Sequence, residues 1–339
     1  MADPFLPASR RALIAGLAAA LVASEAAAQE APPRDPLPSW RDGPVKRAIL
    51  TTIRRTARAG SPDFVPPAER VAVFDNDGTL WVEQPLYPQL ALSVERLKEI
   101  TARDPALLQR PVVKAAVEGD LATVLSSGER ALAELAALAS AGMSQVQFNR
   151  LVTHWLSTTP HPRFNRPHMR LIYQPMLEVM RLLRREGFAV WIVTGGEQEF
   201  VRAFSNATYG VPIERVVGAV TLTEFRLDGA RSSALYRLPA IDGVDVGPGK
   251  PIGIGRFIGR RPQIAFGNSD GDIEMLQYAT SAPGARLGML VHHDDGAREY
   301  AYDRDSHVGR LDRGLGLAQQ WGWPLISMKN DWLRVFPAG

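Results

Sequence analysis

The chain has 339 residues, a formal net charge of +3 and no cysteine. That length fits a main domain carrying an insertion better than one small core. Without cysteine, disulfide frameworks, thiolate metal sites, Cys nucleophiles and lipid attachment through Cys are excluded. The mild charge comes with no dense Lys/Arg tract interleaved with aromatics, so nucleic-acid binding has no support.

At the N-terminus, Arg10-Arg11 precede an apolar run from Leu13 to Ala23, and Ala26-Ala27-Ala28 stand before Gln29. A charged start, a short apolar segment and small residues form a secretory signal. The paired arginines make it look like a twin-arginine signal. Residues 1–28 are expected to be removed after Ala28, with the chain exported, already folded, to the periplasm. The run falls short of the roughly 20 apolar residues that a bilayer span needs, so no stable membrane insertion is expected after cleavage. Residues 29–44 are rich in Pro, Asp and Arg and read as a linker.

Val45, Ile49 and Ile53 share one face of a helix predicted from Val45 to Ala59. Val71-Ala72-Val73-Phe74 is a short apolar run that stops at Asp75, as a buried strand does. Over 86–167 no strand is apparent. Leu90, Val94 and Leu97 have helical spacing, and Ser144 with Gln147 makes a capping box. Strands and helices then alternate: a helix from Pro175 to Glu186, a strand over Ala189–Val193, and a helix from Glu197 to Ala207. Short strands follow over Val216–Val220 and Thr221–Arg226, around a turn. A strand over Gln263–Phe266, a helix from Asp272 to Tyr278 and a strand over Arg286–Val291 complete the series. The expected fold is α/β, a doubly wound parallel sheet made by 45–85 and 168–339, with an all-helical cap inserted over 86–167.

Four segments carry chemistry, each just past a strand or at a helix start, where open parallel sheets bind ligands. Asp75-Asn76-Asp77-Gly78-Thr79 sets two carboxylates two residues apart. One suits attack on phosphorus and the other proton transfer. The same residues also read as a surface Asp-Gly turn. A calcium loop of the EF-hand kind lacks its acids at positions five and twelve. Thr194-Gly195-Gly196-Glu197 offers a hydroxyl and backbone N–H groups to phosphate oxygens, or is a plain glycine turn. Gly249-Lys250-Pro251 puts a lysine in a tight loop, either opposite a phosphoryl dianion or in solvent. Gly267-Asn268-Ser269-Asp270-Gly271-Asp272 supplies oxygen donors suited to Mg²⁺, or caps a helix through Asp270 or Asp272.

The order of these four segments is more specific than any one of them. In that order the chain resembles the haloacid dehalogenase superfamily, and within it the phosphoserine-phosphatase-like branch, over roughly residues 68–295. The helical stretch between Asp75 and Thr194 looks like that branch's cap. The resemblance implies Asp75 as nucleophile and Asp77 as general acid and base. It further implies Thr194 on the phosphoryl oxygens, with Gly195 and Gly196, and Lys250 neutralising charge. Mg²⁺ would be held by Asp75, Asp77 and Asp272. One departure stands out: where the family has an acid after the glycine, this chain has Asn268. Either Asp270 compensates or the cation is held more weakly.

Other residues are weaker candidates. His154, His161 and His168 recur every seven residues, but Pro160, Pro162 and Pro167 break any continuous helix. His292-His293-Asp294-Asp295 reads as an exposed polar loop in preference to a metal site. Trp321, Trp323 and Trp332 read as packing residues. Trp81 and Glu83 follow the first motif where the cap begins, and Glu83 could meet a substrate amine. The expectation is a Mg²⁺-dependent phosphomonoesterase acting on a small phosphorylated metabolite through an aspartyl-phosphate on Asp75. Phosphoserine is the substrate the resemblance suggests, and export points to external phosphoesters. The alternatives are a non-catalytic phospholigand-binding module on the same fold, favoured by Asn268, and a phosphotransferase to an acceptor alcohol.

Overall fold

The structure, a computed structural model, describes residues 35–229 and 231–338. The expected signal and the first part of the expected linker lie outside the described residues. Among the described residues no helix is long and apolar enough to cross a membrane.

The elements in chain order are α1 (Pro44–Ala57), β1 (Val71–Phe74), α2 (Pro88–Thr101), α3 (Pro111–Glu118), α4 (Leu121–Ser126), α5 (Glu129–Ala139) and α6 (Gln145–Thr158). After these come α7 (Gln174–Arg185), β2 (Ala189–Glu197), α8 (Gln198–Tyr209), β3 (Val216–Leu227), β4 (Ser233–Gly243) and the short α9 (Gly249–Gly253). The chain closes with β5 (Ile264–Gly267), α10 (Ile273–Thr280), β6 (Leu287–Asp294), β7 (Ala301–Tyr302), α11 (Arg313–Trp321), β8 (Leu325–Ser327) and α12 (Met328–Asp331).

One sheet runs β4-β3-β2-β1-β5-β6-β7, with β8 pairing with β6. The strands β3, β2, β1, β5, β6 and β8 are parallel, and β4 and β7 add antiparallel edges. Phe74 pairs with Ile192 on one side and Phe266 on the other, and the Phe74 and Phe266 rings stack at 4.7 Å. Every residue of β1 is buried, because helices cover both faces of the sheet. Ala72, Phe74, Ile192 and Phe266 meet Ile49 and Ile53 of α1, Val179 and Leu183 of α7 and Phe200 of α8. Val71, Val73, Val193 and Ala265 meet Ile273, Met275 and Leu276 on the opposite face. This is the doubly wound core expected from the alternation of elements.

Three sequence expectations change. First, the helical stretch over 86–167 divides. Leu90, Leu97, Val113, Ala116, Val124, Leu135 and Leu138 of α2 to α5 form a small core of their own. Phe148, Val152 and Leu156 of α6 instead join the main core. Second, 216–226 does not turn near residue 220. β3 runs on to Leu227, its burial fading as it leaves the sheet, and β4 returns antiparallel against it. The resulting hairpin meets the cap: Arg237 N donates to Met143 O at 2.9 Å, and Gly142 N donates to Arg237 O at 2.8 Å. Third, the linker does not extend to residue 44. Leu37 and Trp40 are buried, Trp40 at 1% exposure. The Trp40 ring meets Trp332 edge-on at 5.9 Å, and its Nε1 donates to Pro175 O at 3.0 Å. Ser39 donates through N and Oγ to Glu178 at 2.9 and 2.7 Å. An apolar pair that finds a partner far along the chain outweighs the polar composition around it.

Truncating a buried aromatic removes its transfer free energy and leaves a cavity. Trp40→Ala is expected to lower unfolding stability by about 3–5 kcal/mol in urea titration.

Candidate active site

β1 ends by extending its ladder one residue, with Asp75 N donating to Phe266 O at 2.9 Å. The chain then turns tightly: Thr79 N and Leu80 N donate to Asn76 O at 3.2 and 2.8 Å, and Gly78 N donates to Trp81 O at 3.0 Å. Asn76 lies underneath, its Oδ1 accepting from Tyr209 OH at 3.2 Å. Asp75 and Asp77 therefore share one rim of the sheet. Trp81 Nε1 donates to Asp77 Oδ1 at 2.8 Å and orients that carboxylate.

Lys250, on α9, reaches this rim from across the sheet. It is 3% exposed, and its Nζ donates to Asp75 Oδ1 and Asp272 Oδ1, both at 2.5 Å. Asp272 is held in turn: its Oδ2 accepts from Asn268 N at 3.0 Å and Ser269 N at 3.1 Å. Both Asp272 oxygens are thus occupied in placing Lys250, which sets it apart from the cation donors with which it was grouped. Burial, then the charge of Asp272, push the Asp75 carboxyl up to about 8, against the pull of Lys250. Asp77 is also raised by burial, with the bonds from Trp81 and Asn76 opposing. For Lys250, burial acts to lower the pKa, but Asp272 and Asp75 outweigh it and raise the value.

Asp75, Asp77 and Lys250 floor a cavity of about 260 Å³, lined also by Gly195, Gly196, Glu83 and Asp270, and roofed by Leu90, Leu132 and Ala136 of the cap with Ile241 of the hairpin. Gly195 and Gly196 do not form the expected turn into a helix. They lie within β2, which continues to Glu197, and α8 begins after it. Thr194 is buried behind them, its Oγ1 accepting from Gly196 N at 3.0 Å. Asp270 lines the cavity, yet its carboxylate accepts from the backbone N–H groups of Asp312, Arg313 and Gly314 at 3.1, 3.2 and 2.8 Å. It caps α11 and is not the replacement acid for Asn268. Glu83 was expected to point toward a substrate amine. It is instead 1% exposed, with Oε1 accepting from Tyr302 OH at 2.7 Å and Asn268 Nδ2 at 2.8 Å. Burial raises its pKa well above the usual value, with Tyr302 opposing and Asp77 and Asp75 adding to the shift.

The sequence reading missed His293. β6 does not stop at Val291 but continues to Asp294, so the polar run is no exposed loop. His293 is 3% exposed; its Nε2 lies 2.8 Å from the Gly78 carbonyl oxygen, which makes that nitrogen the donor. Its Nδ1 faces Glu299 Oε2 at 3.1 Å, and Tyr173 OH donates to Glu299 Oε1 at 3.2 Å. The turn after Asp77 is thereby braced from behind. Asp294 accepts from Lys329 N at 2.9 Å, and Asp295 pairs with Arg298.

His154 is exposed and apart, whereas the His161 and His168 rings meet at 5.4 Å. Burial, then His161, push His168 down to about 4. Trp323 and Trp332 are buried, and Trp321 stacks on Trp323 at 5.5 Å.

The donors at the rim are hard oxygens: the carboxylates of Asp75 and Asp77, and the amide oxygen of Asn268. With an amide at 268, no three acidic, histidine or cysteine side chains gather as a cage among the described residues. That set fits Mg²⁺, which keeps several waters and takes one or two carboxylates together with substrate phosphate.

The haloacid dehalogenase-like hydrolase family matches residues 72–277. The chain belongs to that family. The match runs from β1 through α10 and includes every segment that contributes to the rim. A comparison of the sequence with curated proteins gave no match. Among solved structures, a conserved protein of unknown function from Anaerococcus prevotii is similar with TM-score 0.51 and 15% identity, covering 74% of this chain and 85% of that one. A protein of unknown function from Bordetella pertussis shows TM-score 0.48 and 18% identity, covering 77% and 99%. A phosphoserine phosphohydrolase-like protein from Francisella tularensis shows TM-score 0.39 and 16% identity, covering 74% and 99%. In this haloacid dehalogenase-like hydrolase, the roof of the cavity is tied to its floor by Arg237. Its Nη2 donates to Glu197 Oε1 at 2.6 Å and Thr221 Oγ1 at 3.2 Å, and its Nε donates to Ser140 Oγ at 2.9 Å. The guanidinium also lies 3.7 Å over the Phe148 ring.

Two outcomes are expected. Arg237→Met leaves Glu197 buried without its partner, and should cost about 3–5 kcal/mol in urea unfolding. His168 binds its proton less readily folded than unfolded, so the unfolded chain holds more protons between pH 6.5 and about 4. Stability should fall as pH drops through that window, and His168→Phe should flatten the fall in thermal melts.

Proposed function

We propose that the chain is a Mg²⁺-dependent phosphomonoesterase that hydrolyses small phosphate esters through an aspartyl-phosphate on Asp75. The observation that carries this reading is the buried Lys250 bridging Asp75 and Asp272 beside Asp77, at the floor of a capped cavity. Lys250 anchors Oδ1 of Asp75, leaving Oδ2 to attack phosphorus while the bond from phosphorus to the ester oxygen breaks. Asp77, held by Trp81, gives its proton to the departing alkoxide. It then takes a proton from water, whose oxygen attacks phosphorus and frees phosphate and the Asp75 carboxylate. Lys250 offsets the approach of one anion to another. Bound Mg²⁺ adds positive charge against the phosphoryl oxygens. The cap and hairpin above this rim present apolar side chains to the leaving group.

Phosphoserine is the substrate that the family branch suggests. The Arg10-Arg11 signal favours a periplasmic enzyme acting on external phosphoesters. Asn268 favours one rival, a phospholigand-binding module without turnover. Fluoroberyllate with Mg²⁺ separates the two, since only the hydrolase forms a stable mimic of the phosphorylated aspartate.

Wild-type protein with Mg²⁺ is expected to release phosphate from p-nitrophenyl phosphate, and Asp75→Asn to release none. Asp77→Asn should slow turnover by about 10²–10⁴-fold. Failure of the wild type to release phosphate from a broad ester panel would overturn the reading.

A further inference from the structure

We propose that this site selects a phosphate monoester whose alcohol is apolar, a short alkyl chain or a single ring, over one whose alcohol carries an ammonium or carboxylate group. This inference rests on the phosphatase reading above.

Polar and apolar groups divide the cavity between them. Asp75, Asp77 and Lys250 make the floor, where the phosphoryl group belongs in that reading. The apolar wall comes from four separate elements: Leu90 of α2, Leu132, Ala133 and Ala136 of α5, Ala219 of β3 and Ile241 of β4. Apolar surface bordering an open cavity gains in proportion to the area that a ligand removes from water. A polar alcohol covers that surface without the gain. Ala133 and Ala136 stand one turn apart on α5, and their small side chains leave the room that larger ones would fill. The cavity holds about 260 Å³, whereas an apolar space of about 150 Å³ takes a benzene ring. A ring or a butyl chain therefore fits beside the phosphoryl group.

The polar side chains beside this wall are engaged with the protein itself. Glu197 pairs with Arg237 at 2.6 Å. Gln89 turns to the same residue: its Oε1 accepts from Glu197 N at 2.9 Å, and its Nε2 donates to Glu197 Oε2 at 3.4 Å. Glu83 is buried against Asn268 and Tyr302. An ammonium or carboxylate group brought against the wall would give up water without gaining a free counter-charge. Glu129, His307 and Arg310 also line the cavity, but all three are exposed, and Arg310 pairs with Asp312 at 2.9 Å. A charged substrate group meeting them stays in water, where an ion pair contributes little.

The test is kcat/KM with Mg²⁺ for methyl, ethyl, propyl and butyl phosphate, set against phosphoserine. The four alkyl alcohols leave with nearly equal ease, so the series reads contact with the wall alone. In the wild type, kcat/KM should rise about fourfold for each methylene covered, and butyl phosphate should exceed phosphoserine by about tenfold or more. A flat alkyl series overturns the proposal, as does phosphoserine turned over faster than butyl phosphate. Ala136→Leu fills part of the room, so its best substrate should be a shorter chain than the wild type's. A folded Ala136→Leu with the same optimum also overturns it. Should that variant not fold, Leu132→Asn decides: its ratio of butyl to methyl phosphate should fall at least about fourfold, and an unchanged ratio counts against the proposal. Phosphate released chiefly from phosphoserine sinks this inference and leaves the phosphatase reading standing. No release from any ester sinks both.

Discussion

The buried ammonium of Lys250 is the constraint around which the site is organised. A lysine removed from water is costly unless anionic partners face it. Here Asp75 and Asp272 both do, from strands that neighbour each other in the sheet but are far apart in the chain. Three segments must therefore meet to within hydrogen-bond distance. The parallel pairing of β1 and β5 brings the ends that lead to Asp75 and Asp272 to the same rim, and α9 delivers Lys250 between them. Fold and charge placement depend on each other: the sheet positions the acids, and the lysine keeps two buried carboxylates from facing each other unpaired.

Further hydrogen bonds then fix where the acids point. Trp81 turns Asp77, the amides of 268 and 269 hold Asp272, and His293 braces the Gly78 carbonyl. Oriented dipoles of this kind cost little reorganisation when charge moves, the usual source of electrostatic catalysis. The Tyr302 ring stacks on His293 at 4.4 Å while its hydroxyl serves Glu83, so one residue supports both the brace and the Asn268–Glu83 pair.

Much of this was legible in the sequence, because local rules govern it. β1 and β5 are short apolar runs ending in polar residues, and strands buried on both faces have to read that way. What stayed hidden was long-range pairing. Nothing near His293 signals that its ring will meet Gly78, since that contact depends on how far β6 extends. Glu83 read as an acid that could meet a substrate amine because its partners, Asn268 and Tyr302, lie far along the chain. The β3–β4 hairpin was misread for a different reason. Burial ends near Thr221, but the strand does not, because antiparallel pairing with β4 sustains it after the sheet's helices stop covering it. Leu37 and Trp40 sat in a polar, proline-rich stretch, and only their docking beside Trp332 and α7 gives them a core.

The hairpin changes what kind of cap this is. Helices α2 to α5 have a core of their own, and on that ground alone they would swing as a unit on their connections. Arg237 opposes such a motion. From β4 it grips Glu197 at the end of β2, Ser140 beyond α5 and the face of Phe148 in α6, all in one buried cluster. Opening the helices as a rigid body would break the bond from Arg237 Nε to Ser140 and the two backbone bonds that join residues 142 and 143 to Arg237. The Arg237 cluster thus joins the loop beyond α5, the hairpin and the end of β2 in one buried junction beside the cavity.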